Sequence, residues 1–417
     1  MYRIVFFTGF TPTQDNYGGP SAMAYHFFKY RPAGTVIRVY TTNANNVSDK
    51  IITHVCKDLG IEIIVLKDTL YNYFHRREKF ETLRMKLGID KSYNVSNYKL
   101  SNRILNEIQN FNPDLVWVYQ ESLTTVIRQL SKFNLMVSGF DCFALHCNRA
   151  LRDPYIFANP LRYKRALYEY KMVLYRELQL STIPCRYFDV GIEDRNMFEI
   201  VTGRKDAKFY PHPHFQVVSK EIDFSAQKLS ILISGKYDQY TWTDANKLIA
   251  LLKEHKEFAA SYKFTFLGKG WDECSSGLKE CGYDVEYKTW VDIYAEECAQ
   301  HDIQIFPISV GSGTKGKVLD ALCMGLLCIG SKVAMENIYV KTGHSCFQYS
   351  NMQDVLEFLK KIDADRDSAQ VIAENGRSQV LKWHNPKRIF KKILDDVIEG
   401  IPYDAVSEYY QVVNELN

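Results

Sequence analysis

The sequence has no Cys-x-x-Cys pair, although it contains ten cysteines. The closest pairs are Cys142 with Cys147 and Cys323 with Cys328, and neither pair has the spacing of zinc ligands. Several cysteines lie in apolar runs, where a free thiol packs as a small hydrophobic side chain. We therefore expect no metal site, and buried free thiols in a reducing cytosol.

A strong charge of either sign is also lacking, since 52 Lys and Arg residues are balanced by 49 Asp and Glu residues. Proteins that coat nucleic acid carry a clear basic excess, so we expect no nucleic-acid partner. No run of about 18 apolar residues occurs, so no transmembrane span is expected. The apolar run at 1–7 is too short for a signal peptide and predicts a first strand. We expect a cytoplasmic protein that is able to touch a membrane surface.

What the sequence does contain is an alternation of short apolar strands and helical patterns over most of its 417 residues. One series begins at Arg3–Thr8 and a second at Leu229–Ser234, and each of these strands is followed by a glycine. Strand and helix alternation predicts parallel sheets covered by helices. The polar stretch at 220–228 lacks periodicity and is interpreted as a linker. The sequence therefore predicts an α/β protein with two halves in tandem.

The segment 151–180 differs from both series because basic residues are interspersed with tyrosines. It predicts one or two helices. One interpretation is a solvated helix face with aromatic stems packed beneath it. The other is a contact surface for anionic lipid headgroups or for a phosphate-bearing acceptor.

Glycines are concentrated at 311, 313 and 316, between the predicted strand Ile303–Pro307 and a predicted helix from about Lys317. We call residues 311–317 the glycine loop. Glycines let the backbone approach a ligand closely, and the free N–H groups of a helix start bind anions. Lys315 and Lys317 add two positive charges, so a diphosphate is the predicted ligand.

A tight turn without a ligand is the alternative interpretation of the glycine loop. The loop is not a Walker motif, because it lacks the Gly-Lys-Ser/Thr ending. Its letters match Gly-x-Gly-x-x-Gly, but they occur late in the chain and not after a first strand.

The string from the glycine loop to Ile329 resembles the donor-site motif of GT-B glycosyltransferases, in particular the retaining family called glycosyltransferases group 1. In that family a glycine-rich loop leads into a helix of the form Lys-x-x-Glu-Ala-x-x-x-Gly-x-Pro-Val-Val. Here Lys317, Asp320, Ala321 and Gly325 follow the pattern. The resemblance implies that Asp320 takes the place of the glutamate that binds the ribose hydroxyls. An earlier family glutamate, which holds the donor sugar, is replaced by Ser312.

Other motifs extend this resemblance over most of the chain. Tyr17–Ser21 is similar to the family's Gly-Gly loop, Ile231–Lys236 to the first strand of its donor domain, and Phe266–Gly270 to the strand beside the nucleotide base. The implied fold is GT-B, with two Rossmann-like α/β domains facing a cleft. The implied domains are an acceptor-side domain at 1–218, a donor domain at 226–385, and terminal helices at about 386–417 that cross back to the first domain.

The resemblance assigns donor-binding positions to both halves of the chain. Those positions are Gly18, Gly19, Gly235, Gly268, Gly311, Ser312, Gly313, Thr314, Lys317 and Asp320.

Candidate catalytic residues are Asp141 and His146, which follow a predicted strand of the first half, together with Lys236 and Lys315. Retaining GT-B enzymes are thought to pass the acceptor proton to the leaving diphosphate, so positive charge matters most there. An inverting enzyme needs a base, for which Asp141 is our choice, and each of Asp141 and His146 also fits a structural role. His212 and His214 alternate with Pro211 and Pro213, which predicts a rigid turn in preference to a metal site.

The expected function is transfer of a sugar from a UDP- or GDP-type donor to a saccharide or lipid-linked acceptor in cell-surface glycan synthesis. No cofactor is expected, because the nucleotide sugar is a substrate. A GT-B epimerase and a non-catalytic protein that binds nucleotide sugars remain alternatives. The second is suggested by Ser312 at the position of the missing acid.

Overall fold

A computed structural model describes residues 2–14, 19–72, 98–139, 141–215 and 220–416. The chain divides into two compact units. Unit 1 comprises 1–148, 164–213 and 386–405, and unit 2 comprises 149–163, 214–385 and 406–417. The predicted domain limits near 218, 226 and 386 stay a prediction.

Unit 1 contains a sheet whose described strands are all parallel, in the order β3-β2-β1-β4-β5-β6-β7. The central strands are apolar on both faces because helices cover both sides of a parallel sheet, and Val5, Phe6 and Phe7 are completely buried. The strands are β1 (Arg3–Thr8), β2 (Val36–Thr41), β3 (Glu62–Val65), β4 (Leu115–Tyr119), β5 (Leu135–Ser138), β6 (Arg186–Asp189) and β7 (Lys208–Phe209).

The helices of unit 1 begin and end at residues with clear capping roles. Ser48 and Ser101 accept backbone N–H bonds at two helix starts, and Gly60 and Asn112 end the same helices in the left-handed conformation. The helices up to this point in the chain are α1 (Gly19–Lys29), α2 (Asp49–Leu59), α3 (Asn102–Phe111), α4 (Thr124–Leu130), α5 (Phe143–Ala150), α6 (Pro154–Phe157), α7 (Pro160–Leu178) and α8 (Ile192–Thr202). Helix α6 lies in unit 2, and α5 and α7 each extend across a unit boundary.

Unit 2 contains a second sheet of parallel described strands, in the order β10-β9-β8-β11-β12-β13. A large apolar cluster lies on one side of this sheet, with Trp271 and Tyr262 among its fully buried side chains. The strands are β8 (Leu229–Ser234), β9 (Tyr262–Leu267), β10 (Asp284–Lys288), β11 (Ile303–Phe306), β12 (Leu327–Ser331) and β13 (Phe347–Tyr349).

The remaining helices lie in unit 2, apart from the helix that begins at Pro386, which lies in unit 1. Helix α14 begins with a capping box formed by Asn351 and Asp354. The helices are α9 (Trp242–Glu254), α10 (Asp272–Lys279), α11 (Tyr294–Cys298), α12 (Gly316–Cys323), α13 (Lys332–Met335), α14 (Met352–Ala364), α15 (Arg366–Trp383), α16 (Pro386–Val397) and α17 (Ala405–Glu415). Helix α16 belongs to unit 1, where Phe390 packs against Phe27 and Trp117.

Among the described residues, no helix combines the length and the apolar character needed to cross a bilayer. The predicted α/β class with two parallel sheets is confirmed.

Candidate functional site

The strand order of unit 2 changes direction between β8 and β11. The connections after these two neighbouring strands run to opposite sides, and such a point leaves a crevice at the carboxyl ends of the strands. Gly235 and Lys236 follow β8, and the glycine loop follows β11. The fold therefore brings the two predicted phosphate-binding segments to one edge of the sheet.

The glycine loop is held in place by backbone hydrogen bonds just before it. The carbonyl oxygen of Tyr240 accepts the N–H groups of Ser309 at 2.9 Å and Val310 at 3.2 Å. Helix α12 then begins at Gly316, and the N-cap residue Lys315 makes no side-chain cap bond. The Val318 N–H of the first turn donates to the Lys315 carbonyl at 2.9 Å. The N–H groups of Gly316 and Lys317, which precede it at the helix start, are suited to an outside anion.

Two predicted glycines permit close packing under the loop. A Cβ on Gly235 would lie 2.7 Å from the Lys317 Nζ, and a Cβ on Gly268 would lie 2.3 Å from the carbonyl oxygen of Gly235. Both residues have a positive φ, of 108° and 128°, which L side chains rarely adopt. Glycine at these positions allows strands β8 and β9 to end directly beneath Lys317.

Lys317 points back to the carboxyl end of β8. Its Nζ donates to the Ser234 carbonyl at 3.3 Å. Burial is the main cause that lowers the pKa of the Lys317 amine to about 8; Asp238 opposes the shift, and the positive charge of Lys315 adds to it. A diphosphate would favour the protonated amine, so Lys317 is suited to bind one.

The side chain of Lys315 stabilises the glycine loop by hydrogen bonds to its backbone. Its Nζ donates to the carbonyl oxygens of Ser312 at 2.9 Å and Gly313 at 2.7 Å, and lies 3.3 Å from a carboxylate oxygen of Glu336. The ammonium group of Lys315 is therefore already paired with loop carbonyl oxygens and with the Glu336 carboxylate.

Glu336 and Arg149 are site residues that the sequence analysis did not identify. Arg149 binds the Glu336 carboxylate through two N–H groups, at 2.7 and 3.0 Å, and also donates to the Gly311 carbonyl at 2.7 Å. Glu336 is buried and thus joins two cations to the glycine loop. Glu336 comes shortly after β12, which is the neighbour of β11 in the sheet. A prediction of the strand order would therefore have placed Glu336 near the glycine loop. Arg149 is 162 positions from Gly311 and has no local motif.

Asp320 lies in α12, one turn after the glycine loop. Burial raises the pKa of its carboxyl to about 7, and a bond from the backbone N–H of Phe215 opposes that shift. Among the described residues, its buried Oδ1 has no hydrogen-bond partner. An unpaired buried acceptor is costly, so this oxygen is suited to accept a ligand hydroxyl.

The other predicted donor-binding positions have different surroundings. Ser312 and Thr314 are buried in the loop, Gly313 has a positive φ of 63°, and Lys236 is exposed. Gly19 is the exposed first residue of α1 in unit 1, and Gly18 lies outside the described residues.

Asp141 and His146 both belong to unit 1, after β5. Asp141 is half-buried, and its charge contributes to the raised pKa of Tyr119 and of Glu121, for which burial is the main cause. His146 is buried in α5, with its ring centre 5.6 Å from that of Phe143. The structure thus places both predicted residues at the carboxyl edge of the unit 1 sheet.

A group of buried acids beside them was not predicted from the sequence. Glu177 accepts the Ala144 N–H at 3.0 Å, Asp194 accepts the Cys142 N–H at 2.8 Å, and Asp189 accepts the Tyr187 hydroxyl at 3.1 Å. Burial raises the pKa of Glu177 to about 7, against the opposing charge of Arg176. These acids come from three separate elements, so no sequence spacing reveals the group.

His212 and His214 of the His-Pro-His turn are both buried. Burial lowers the pKa of His212 to about 4, and His212 Nδ1 lies 2.7 Å from the Pro213 carbonyl oxygen. Within the part of the chain that the structure describes, no three His, Cys, Asp or Glu side chains are placed to hold a metal ion.

Comparisons with known proteins show a family and a fold to which the chain is similar. Residues 245–395, which include the glycine loop and α12, match the family described as glycosyl transferase-like. The fold is similar to that of HepE from Anabaena, solved with UDP-glucose, with a TM-score of 0.63 and 12% identity over 96% of this chain and 100% of that one. The chain therefore has the GT-B fold, and its residues 245–395 resemble the glycosyl transferase-like family.

Two further solved structures have a similar fold. A sucrose-phosphate synthase from Thermosynechococcus elongatus has a TM-score of 0.65 and 14% identity, over 94% of this chain and 97% of that one. WaaG, a glycosyltransferase involved in lipopolysaccharide biosynthesis, has a TM-score of 0.59 and 14% identity, over 94% and 99%. No curated protein matches the sequence.

Proposed function

We propose that the enzyme transfers a sugar from a nucleotide diphosphate donor to a saccharide or lipid-linked acceptor in cell-surface glycan synthesis. The observation that carries the proposal is the meeting of Lys317, the glycine loop and the uncapped start of α12 at the point where the strand order reverses. The bound UDP-glucose of HepE, a protein of similar fold, favours a UDP donor over a GDP donor.

In the proposed complex each group has a separate task. The start of α12 and Lys317 bind the diphosphate, and Lys236 reaches it from the end of β8. Asp320 accepts the ribose hydroxyls. Lys315 holds the loop in shape and adds positive charge behind it.

The proposed reaction breaks the bond between the sugar C1 and the diphosphate oxygen, and the electron pair of that bond goes to the diphosphate. The acceptor hydroxyl oxygen forms the new bond to C1 on the same face and gives its proton to the leaving diphosphate. Positive charge at the loop stabilises the leaving group as its negative charge grows. We propose this retaining course; with inversion, Asp141 takes the proton. Neither course uses a cofactor or a bound metal.

A cytoplasmic location is part of the proposal. All ten cysteines are free thiols, and thiols persist in reducing compartments.

The decisive experiment removes both lysines of the loop. The variant Lys315→Ala/Lys317→Ala should lose at least about 100-fold in transfer rate, because preorganised charge near a leaving group typically contributes that much. The transfer rate is measured as the release of UDP from UDP-glucose in the presence of an acceptor mixture. The exposed pair Lys256→Ala/Lys279→Ala, in the same unit, is the matched control. Unchanged turnover in the loop variant would reject the assignment.

The same assay tests the non-catalytic alternative, which Ser312 favours. A protein that only binds nucleotide sugars would gain thermal stability with UDP-glucose but release no UDP with any acceptor.

A further inference from the structure

Gln304 is a polar residue at the centre of the unit 2 sheet. It lies in β11 between two isoleucines, and its side chain is completely buried. A buried amide costs free energy unless its donors and its acceptor are paired, so an apolar side chain would be the simpler choice in this strand. The partners of the Gln304 amide therefore indicate its role.

The Gln304 side chain connects β11 to the carboxyl end of β8. Its Nε2 donates to the Ser234 Oγ at 2.6 Å and to the Tyr294 hydroxyl at 3.0 Å. The two hydroxyl oxygens lie 2.8 Å apart, and the Cys298 Sγ lies 3.4 Å from the Gln304 Oε1. Both amide hydrogens and the amide oxygen thus have partners. We call Ser234, Tyr294 and Gln304 the polar triad.

The polar triad lies where β8 and β11 separate. Within these strands, backbone pairing reaches Gln304 on β11 and Leu232 on β8. Strand β8 continues to Ser234, and β11 continues to Phe306. Beyond the paired residues, the Gln304 side chain bridges the two strands. Its hydrogen bonds therefore restrict how far the strand ends move apart at the crevice.

Ser234 joins the polar triad to the candidate donor site. Its carbonyl oxygen accepts the Lys317 ammonium at 3.3 Å, while its Oγ is held by Gln304 and Tyr294. The next residue, Gly235, leaves room for the ammonium, since a Cβ there would lie 2.7 Å from the Nζ. A shift of Ser234 would therefore move the amine of Lys317.

Asp320 also lies near the polar triad. Burial is the main cause that raises the pKa of the Tyr294 hydroxyl and of the Cys298 thiol, and the charge of Asp320 adds to both shifts. The triad is thus close to two of the residues that are proposed to bind the donor.

We propose that Gln304 and Tyr294 are positioning residues for the donor site, which act through Ser234 on the amine of Lys317. By fixing the end of β8, they keep this amine where the diphosphate binds and where negative charge grows during transfer. The inference rests on the proposed function and adds to it residues that lie outside the glycine loop.

The test compares two serines of β8 that are equally buried, each 4% exposed. Ser234→Ala removes the hydroxyl of the triad but keeps the carbonyl that accepts Lys317. Ser230→Ala is the matched control, because the Ser230 Oγ donates to Asp302 at 2.7 Å near the amino ends of β8 and β11. We expect kcat/KM for UDP-glucose to fall about tenfold in Ser234→Ala, since a misplacement of about 1 Å costs up to about 100-fold. Ser230→Ala should change it by less than about twofold, because its hydroxyl is remote from Lys317.

Gln304→Met keeps the approximate size of the side chain and removes its hydrogen bonds. The hydroxyls of Ser234 and Tyr294 can still bond to each other, so the variant should stay folded. Its loss of kcat/KM should match that of Ser234→Ala, and Tyr294→Phe should lose less, because the bond from Gln304 to Ser234 remains. The double variant Ser234→Ala/Gln304→Met should lose no more than either single variant, since residues of one network are not additive.

The pH dependence of donor affinity gives a readout that a purely structural role would not change. Burial lowers the pKa of the Lys317 amine from 10.5 to about 8. An amine that leaves this position regains water, and its pKa rises. The loss of UDP-glucose affinity at high pH should therefore begin at a higher pH in Ser234→Ala and Gln304→Met. Asp238 and Lys315, whose charges also act on the amine, are unchanged in both variants.

Three results would each overturn the inference: equal kinetics of the two serine variants, losses that multiply in the double variant, or an unshifted pH dependence. Unchanged turnover in Lys315→Ala/Lys317→Ala would instead reject the donor site itself. A failure of the positioning role is therefore distinguished from a failure of the proposed function.

Discussion

Glu336 joins Arg149 and Lys315 to the glycine loop, so its charge holds the loop in one conformation. Glu336→Gln keeps the size of the side chain but leaves two cations without their acid. We expect the KM for UDP-glucose to rise about tenfold, roughly 1.4 kcal/mol, with a smaller change in kcat, because the loop must be reordered when the donor binds.

Glu357→Gln removes a comparable charge from an exposed pair with Lys360 and serves as the control. Initial-rate kinetics of both variants measure the effect. If Glu336→Asp restores none of the loss, or if the two glutamine variants behave alike, Glu336 does not position the loop.

Two shifted pKa values predict how donor binding depends on pH. Asp320, with a pKa of about 7, accepts ribose hydroxyls best when ionised, and Lys317, with a pKa of about 8, binds phosphate only when protonated. The affinity for UDP-glucose should therefore be highest between about pH 7 and 8. Outside that window it should fall by up to roughly tenfold per pH unit.

Calorimetric titration from pH 5.5 to about 9.5 checks this profile. Asp320→Asn should remove the acid limb and Lys317→Arg should move the basic limb to higher pH, since an arginine stays charged. A profile whose limbs are unchanged in both variants would show that other groups titrate.

At the scale of elements, Gly268 permits strands β8 and β9 to end in close contact. Gly268→Ala would place a Cβ 2.3 Å from a backbone oxygen, at a φ of 128°. We expect a loss of unfolding free energy on the order of 3 kcal/mol. Gly282→Ala is the control, because its φ is also positive, at 90°, but nothing lies within 4 Å of the added atom.

Gly282→Ala should cost about 1 kcal/mol from backbone strain alone. Urea unfolding of the two variants separates strain from close approach. Equal losses would mean that the strand ends can move apart freely.

Elements with a strong local signal were predicted from the sequence, and those without one were not. Strands β8 and β11 follow their apolar runs closely, because a buried parallel strand must be apolar on both faces. The amphipathic pattern from Tyr98 to Asn110 predicts a helix, and the structure begins that helix at Asn102 because Ser101 caps it. Strand β13, of three residues, is too short for its pattern to stand out.

At the scale of the whole molecule, the tandem α/β plan could be predicted because strand and helix alternation is a local property. The parts of the candidate site that could be predicted lie in short motifs, as from Gly311 to Asp320 and at Gly235 and Gly268. The contacts of Arg149 and Glu336, and the buried acids around Glu177, depend on which elements become neighbours in the fold. Which elements become neighbours is determined by the strand order of the whole sheet, and no short sequence motif encodes it.

The buried Glu177 makes a prediction for the stability of the whole chain. Burial raises its pKa from 4.5 to about 7, so its protonated form is favoured in the folded state. A group with a raised folded pKa contributes stability that is complete below its unfolded pKa and is lost as the pH rises through the folded value. The free energy of unfolding should therefore fall between about pH 4.5 and 7, relative to Glu177→Gln, by up to about 3 kcal/mol.

Urea unfolding of wild type and Glu177→Gln across this range measures the difference. The glutamine keeps an oxygen that can accept the Ala144 N–H, but it cannot ionise. The pH dependence of the unfolding free energy of Glu177→Gln therefore lacks the contribution of Glu177 and keeps that of the other buried acids. Glu221→Gln, at an exposed position, should follow the wild type at every pH. A constant difference between wild type and Glu177→Gln would show that Glu177 is ionised in the fold throughout, with Arg176 fully compensating its burial.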